Sequence, residues 1–279
     1  MSLQTKAGFK KEILAFFKTQ KFLIIALVLL GLGALSPLLI TGMGALMDSM
    51  SDLYNDLGLD VSDMTAVLSS STSIGVSSSI GDITGVGLMV FLLLIMKAAG
   101  GEQKKRAVII PRSAGLRSFG YIFPKFIIYP LSAFALAIAA MFVSWGISVL
   151  VFEHNDISFN SVLTGGVLAG VCMMLYVCFH LALGTATGKA GMSAAVCIGA
   201  SLILPNVFAL TTTEYMYNPF ALDVLAGQVV LQPNIPAEQG LDIVITIGFA
   251  IALMVLAYLI ALFAQNARKI DNSGNELEL

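Results

Sequence analysis

Charge is what this sequence has least of. Aspartate, glutamate, lysine and arginine make up 11% of the 279 residues, against 57% hydrophobic residues. A soluble domain carries about 25% charged residues, so a water-facing surface cannot be built from this supply. The net charge of −2 leaves no basic face to displace counterions, which excludes nucleic acid as a partner. Three cysteines are too few for the disulfide framework of a secreted domain. Zinc-type His-x-x-x-His spacing and paired carboxylates are missing as well. What is plentiful is apolar sequence, with a mean hydropathy of +0.90. The class left is an all-α integral membrane protein.

Crossing the hydrocarbon layer takes about 20 mostly apolar residues per helix. Six stretches qualify: Phe22–Ile40, Ile83–Ala99, Phe126–Phe152, Val162–Thr187, Ala190–Thr211 and Ile243–Ala264. The first lacks a small-residue cleavage site and is too long for a signal peptide, so it is expected to be retained. All 15 Lys and Arg fall in four clusters: before span one, between spans two and three, at Lys189, and at Arg268–Lys269. With six spans every cluster lands on one side. The three opposite loops hold no Lys or Arg and carry 12 of the 17 acids, Asp82 counted among them. The positive-inside rule then places both termini in the cytoplasm, with residues 265–279 as a cytoplasmic tail. His180 is the only ionisable side chain this assignment leaves well inside a span.

Outside the spans, residues 6–20 read as an amphipathic helix lying in the headgroup layer, with Phe9, Ile13, Phe16 and Phe17 on its apolar face. The outer segment Gly42–Ser79 places Asp48, Asp52, Asp56 and Asp60 at intervals of four. It has no calcium-loop spacing and reads as a solvated acidic face. Its serine-rich end, Ser69–Ser79, is expected to be mobile or the loose start of span two. In the last outer loop, Asn218-Pro219 signals the start of a short helix over Phe220–Ala226, ending at Gly227 and lying at or dipping into the outer leaflet. The inner loop 100–125 contains the apolar run Ala107-Val108-Ile109-Ile110 before Pro111. Such a run suits docking into a partner's groove or onto anionic lipid.

Catalytic motifs are missing. Gly184-Thr185-Ala186-Thr187-Gly188-Lys189-Ala190 has three residues between its glycines and an alanine after the lysine, so it is no P-loop. Ser193 and His180 fail as a nucleophile–base pair, since His180 lies about 13 Å deeper than the turn near Ser193 by helical rise. Gly166, Gly170, Gly184 and Gly188 share one helical face, with His180 about 40° away. This reads as a packing seam in which a neutral imidazole hydrogen-bonds to a neighbouring helix. Cys172, Cys178 and Cys197 read as small core residues. Asn206, beside Pro205, interrupts span five and offers polar groups to a cavity or neighbour.

The order of parts resembles the ABC-2 type transporter permeases, the membrane subunits of certain ATP-binding cassette systems. The resemblance covers almost the whole chain. It rests on the basic helix carrying Lys10-Lys11-Glu12-Ile13-Leu14, the acidic outer segment, and the inner loop with Glu102, Pro111-Arg112-Ser113 and Lys125. The Tyr217-Asn218-Pro219-Phe220 element before span six completes it. Ala107-Val108 stand where the family often has a Gly-Thr pair. The resemblance implies a permease that is not itself an enzyme, with ATP and Mg2+ held by a separate cytoplasmic ATPase dimer. A second permease subunit, identical or homologous, would complete the pathway in a bacterial cytoplasmic membrane. Glu102, Ala107, Val108, Ile109, Ile110, Pro111, Arg112 and Arg117 are then the expected contacts with the ATPase. Spans two and five would line the pathway, through Met89, Met96, Asn206 and Phe208. Those apolar, flexible residues suit export of a hydrophobic or amphipathic substrate. The alternatives are a channel or secondary transporter without an ATPase, and a non-transporting anchor or sensor subunit.

Overall fold

A computed structural model of the chain describes residues 3–50, 71–101, 118–152, 155–211, 217–232, 237–267, 269–270 and 276–277. The architecture is helical. α1 covers Leu3–Phe17, α2 Lys21–Ser49, α4 Ser118–Val151, α5 Phe159–Thr187, α6 Ala190–Thr211, α7 Leu222–Leu231 and α8 Ala237–Ala267. α3 is composite: an α-helical Thr72–Asp82, a π-helical Ile83–Gly87, an α-helical Leu88–Met96 and a second π-helical stretch, Lys97–Gly101. A two-residue antiparallel pairing joins Lys269–Ile270 to Glu276–Leu277.

Five helices, α2, α3, α4, α5 and α8, are long and apolar enough to cross a membrane. The sequence boundaries shift where polar residues turn out to be helical. α2 runs on past Ile40 to Ser49, so Gly42–Ser49 is helix and not outer loop. α3 begins at Thr72, eleven residues before the expected start at Ile83. From Thr72 onward the serine-rich stretch is the start of the second long apolar helix, the second of the two expected readings. Thr72, Ser73, Gly75, Val76 and Ser79 are buried, and Ser79 Oγ donates to Ser144 Oγ of α4 at 2.8 Å. Serine can sit inside an apolar bundle when its hydroxyl finds such a partner. The acidic stretch 51–70 lies outside the described residues.

α5 is the central helix. Burial covers 72% of its apolar window, against 22% for α8, so α8 is peripheral and presents Phe249, Val255, Leu259 and Phe263 outward. Ser158 caps the start of α5 by accepting from the Ser161 N–H at 3.1 Å. Gly188 ends it in the left-handed region at φ 68°, donating to the Gly184 carbonyl. That is a glycine role at helix ends, so Gly188 terminates α5. Gly166 and Gly170 face α4: a methyl on Gly170 would meet the Phe134 ring at 2.6 Å, and one on Gly166 the Met141 side chain at 3.5 Å. Gly184 faces a different neighbour, the Ala99 backbone of α3 at 2.8 Å. One glycine face thus serves two partners in succession.

α1 does not simply lie in a headgroup layer. Its buried line is Thr5, Glu12 and Phe16, with Gly8 against the Gly120 backbone of α4. Phe16 is fully buried, 5.1 Å from the Tyr129 ring centroid and 6.4 Å from Phe91. Ile13, Leu14 and Phe17 stay exposed. The helix therefore has one face docked into the bundle and a second apolar face turned outward.

α7 also departs from expectation. Asn218 Oδ1 accepts from the Phe220 N–H at 3.0 Å, so Asn218 caps a turn and the helix starts only at Leu222. It continues through Gly227 to Leu231, burying Leu222, Leu225, Ala226, Val229 and Val230.

Candidate functional site

Among the polar groups inside the bundle, three groupings bear on the candidate site. The first is at the end of the bundle where α3 finishes and α4 begins. Lys125, one turn into the buried part of α4, has 4% of its side chain exposed, and Glu12 of α1 has 3%. Their charged atoms are 3.9 Å apart. Lys125 Nζ donates to the Ala98 carbonyl and to the Tyr121 hydroxyl, each at 2.8 Å, and lies 4.1 Å from the Tyr121 ring centroid. Tyr129 donates its hydroxyl to Glu12 Oε2 at 2.9 Å. The exposed Lys11 reaches Glu12 Oε1 at 3.3 Å. Two charges taken out of water need this kind of mutual satisfaction. The network ties α1, the π-helical end of α3 and the start of α4 together. Ala98 precedes the loop and Lys125 follows it.

In the sequence, Lys125 stands as a charge before span three and as the end of the coupling region that the resemblance implies, and Glu12 as part of the basic helix, with nothing to pair the two. No periodicity links residues 113 positions apart. A lone glutamate between Lys11 and an apolar run was the one available signal.

The second grouping corrects the placement of Asp82. It is not in an outer loop but inside α3, where Ser36 Oγ of α2 donates to Asp82 Oδ2 at 2.6 Å. Ser36 is buried and Asp82 half-buried. Asp82 immediately precedes the π-helical stretch Ile83–Gly87, a geometry concentrated at functional positions. His180 is therefore not alone as an ionisable group within a span. Asp82 was missed because the polar residues before it hid the true start of α3.

The third grouping corrects the separation of His180 and Ser193. They meet: Ser193 Oγ lies 2.9 Å from His180 Nδ1, and both residues are buried. The depth of His180 had been measured from the turn, whereas Ser193 itself stands about 6 Å beyond the turn by helical rise. Ser193 Oγ also lies 2.9 Å from the Ala190 carbonyl of its own helix, and which of Ser193 Oγ and His180 Nδ1 donates follows from the imidazole tautomer. Nε2 finds no partner among the described residues. The pair clamps α5 to α6.

At the opposite end, Asp156 accepts from the Ser73 hydroxyl at 2.6 Å and the Ser73 N–H at 3.0 Å, and from Ser71. Burial pushes its carboxyl up, but these hydrogen bonds outweigh that and hold it below the ordinary value of 3.8. Tyr217, at φ 66°, donates its hydroxyl to Asp242 Oδ1 at 2.6 Å.

The remaining candidates distribute as follows. Glu102, Ala107, Val108, Ile109, Ile110, Pro111, Arg112 and Arg117 lie outside the described residues, as do the side chains of Asn206 and Phe208. Met89 and Met96 are half-buried on α3, and the Met96 methyl stands 4.0 Å from where a Gly191 Cβ of α6 would sit. Cys172, Cys178 and Cys197 are buried free thiols. Among the described residues no cluster of three or more His, Cys, Asp or Glu could hold a metal. No family model, curated protein or solved structure matches the chain.

Proposed function

We propose that the chain is the membrane subunit of an ATP-binding cassette exporter, with six spans, α6 as the fifth, and both termini in the cytoplasm. Its substrate would be hydrophobic or amphipathic, and its power would come from a separate cytoplasmic ATPase that binds ATP and Mg2+. The observation that carries the reading is the Glu12–Lys125–Ala98 network. Movement of the inner loop, pushed from its cytoplasmic side, would pass through both loop stems and α1 as one body. A loop that merely tethered the chain to lipid would have no need of a buried charged joint at its root.

The charge distribution supports the orientation. Lys11 and Lys125 meet at one end, while Asp156 and Asp242 hold the other. ATP-driven closure of the ATPase pair supplies work only through its different affinity for the two permease states. The loop residues Glu102 and Ala107–Pro111 would receive that push, with Arg112 and Arg117 as charged partners, and a second permease subunit would complete the pathway. The test is affinity purification of the tagged chain from native membranes. The reading expects an ATPase to accompany it, and Arg112→Glu to lose that subunit. Retention of full ATPase association and activity by Arg112→Glu counts against it.

A second reading, a transporter working without an ATPase, gains from Asp82, since such machines place charged groups within the bilayer. Transport in ATP-free proteoliposomes driven by an ion gradient would favour it.

A further inference from the structure

α7 runs into the bundle and not along its rim. A methyl on Gly165, near the start of α5, would meet Val230 Cγ2 at 2.6 Å. At the other end of α7 the Asp223 N–H stands against the Cys172 thiol. Cys172 is roughly 20 Å from either end of α5 by helical rise. The first turn of α7 is therefore inserted halfway down the central helix. Phe220, just before it, stacks on Phe179 further along α5.

Asp223 sits in that first turn. Its carboxyl accepts from the Val224 N–H, a favourable arrangement at a helix N-terminus. Asp223 Oδ1, however, is buried and has no partner among the described residues. Every Lys and Arg of the chain lies before Phe22, between Met96 and Phe126, at Lys189, or after Ala267, so α5, α6, α7 and α8 carry none. The groups that face Asp223 are Cys172 and Tyr176 of α5, with Cys197 of α6 beside Tyr176. α3 meets α7 through the uncharged Ser77, and Asp242 of α8 is taken up by the Tyr217 hydroxyl. The Tyr176 hydroxyl is also buried without a partner among the described residues. A carboxylate with a buried, unpartnered oxygen is costly, and protonation relieves the cost. Burial accordingly pushes the Asp223 carboxyl above the ordinary 3.8. The entry to α7 is strained as well: Tyr217 holds φ 66°, tied through its N–H to Thr246 Oγ1 at 3.1 Å. Such strain persists only while the surrounding contacts hold.

We propose that Asp223 is a proton-binding site that seats α7: protonated, it lets the first turn rest against Cys172 and Tyr176, and ionised, it draws that turn out of the bundle. The seated state binds the proton more tightly than the withdrawn one. Seating is therefore complete below the ordinary carboxyl value and weakens as pH rises from there through the raised one. The site goes beyond the exporter reading and requires no ATPase, so its failure leaves that reading standing. The experiment places the full chain in phosphatidylcholine nanodiscs and exposes it to N-ethylmaleimide from about pH 4 to about pH 8. Peptide mass spectrometry then measures labelled Cys172 against labelled Cys178. Cys178 packs with Tyr121 and Ala257, away from α7, and corrects for the pH dependence of the reagent itself. The Cys172-to-Cys178 ratio is expected to rise severalfold with pH in the wild type. It is expected to stay flat in Asp223→Asn and Asp223→Ser, neither of which ionises. A flat ratio in the wild type, or a Cys172 that labels at no pH, overturns the site, and that arm needs no variant to fold. So does the wild-type rise repeated in either variant once folded.

Discussion

The Lys125 ammonium and the Glu12 carboxylate face each other across 3.9 Å at the root of the inner loop, each with less than 5% of its side chain exposed. Neither touches the other's helix by sequence proximity. Each is completed by a tyrosine of α4, Tyr121 for the lysine and Tyr129 for the glutamate. Removing one partner of a buried pair leaves the other uncompensated, at a cost of about 3–5 kcal/mol. Lys125→Met is therefore expected to lower stability by that order in a denaturant titration. Lys125→Met with Glu12→Gln should cost clearly less than the two single changes added together.

Gly184 and Gly31 make a contrasting pair of glycine-to-alanine substitutions. A methyl on Gly184 would sit 2.8 Å from the Ala99 carbonyl oxygen, against backbone that cannot step aside. Gly184→Ala should destabilise by about 1–3 kcal/mol through overpacking. A methyl on Gly31 meets nothing within 4 Å, so Gly31→Ala should gain about 0.5–1 kcal/mol from reduced backbone freedom in the unfolded chain. Thermal unfolding in detergent measures both.

Ser193→Ala removes the hydroxyl that meets His180 Nδ1, while Nε2 already has no partner among the described residues. An imidazole left buried without a hydrogen bond costs about 1–3 kcal/mol. A packing role for the pair predicts this loss in stability, with the proposed transport by the folded fraction unaltered. His180→Leu that assembled normally but abolished transport would give the residue a functional role.

Asp156 predicts a pH dependence at the opposite end. Its carboxyl is held below the ordinary 3.8 by Ser71 and Ser73. Its stabilisation is therefore fully present above that value and is lost as pH falls through the lower folded-state value. Unfolding temperature should drop more steeply on going from about pH 5 to about pH 3 in the wild type than in Asp156→Asn.

Long apolar runs made most of the helices legible in the sequence, because about 20 apolar residues have few other uses. The ends were not. Ser73 and Ser79 looked like loop until their hydroxyls found Asp156 and Ser144 across the bundle, and that pairing is invisible to any local pattern. The same masking hid Asp82. Glu12 was hidden differently: among lysines it reads as one more interfacial charge, and only the approach of α4 turns it inward. The glycine face of α5 could be read from spacing, but not that its two halves meet different helices.

Under the proposed function, the loop between α3 and α4 and its charged root transmit work from an ATPase. The direct measurement is ATP-driven transport by the chain reconstituted with its co-purified ATPase, comparing wild type with the Glu12→Gln, Lys125→Met double variant. The account predicts that the variant assembles with the ATPase and hydrolyses ATP while transport per ATP falls severalfold. Equal transport per ATP in the two proteins, or a wild-type chain that carries no ATPase out of the membrane, would contradict it.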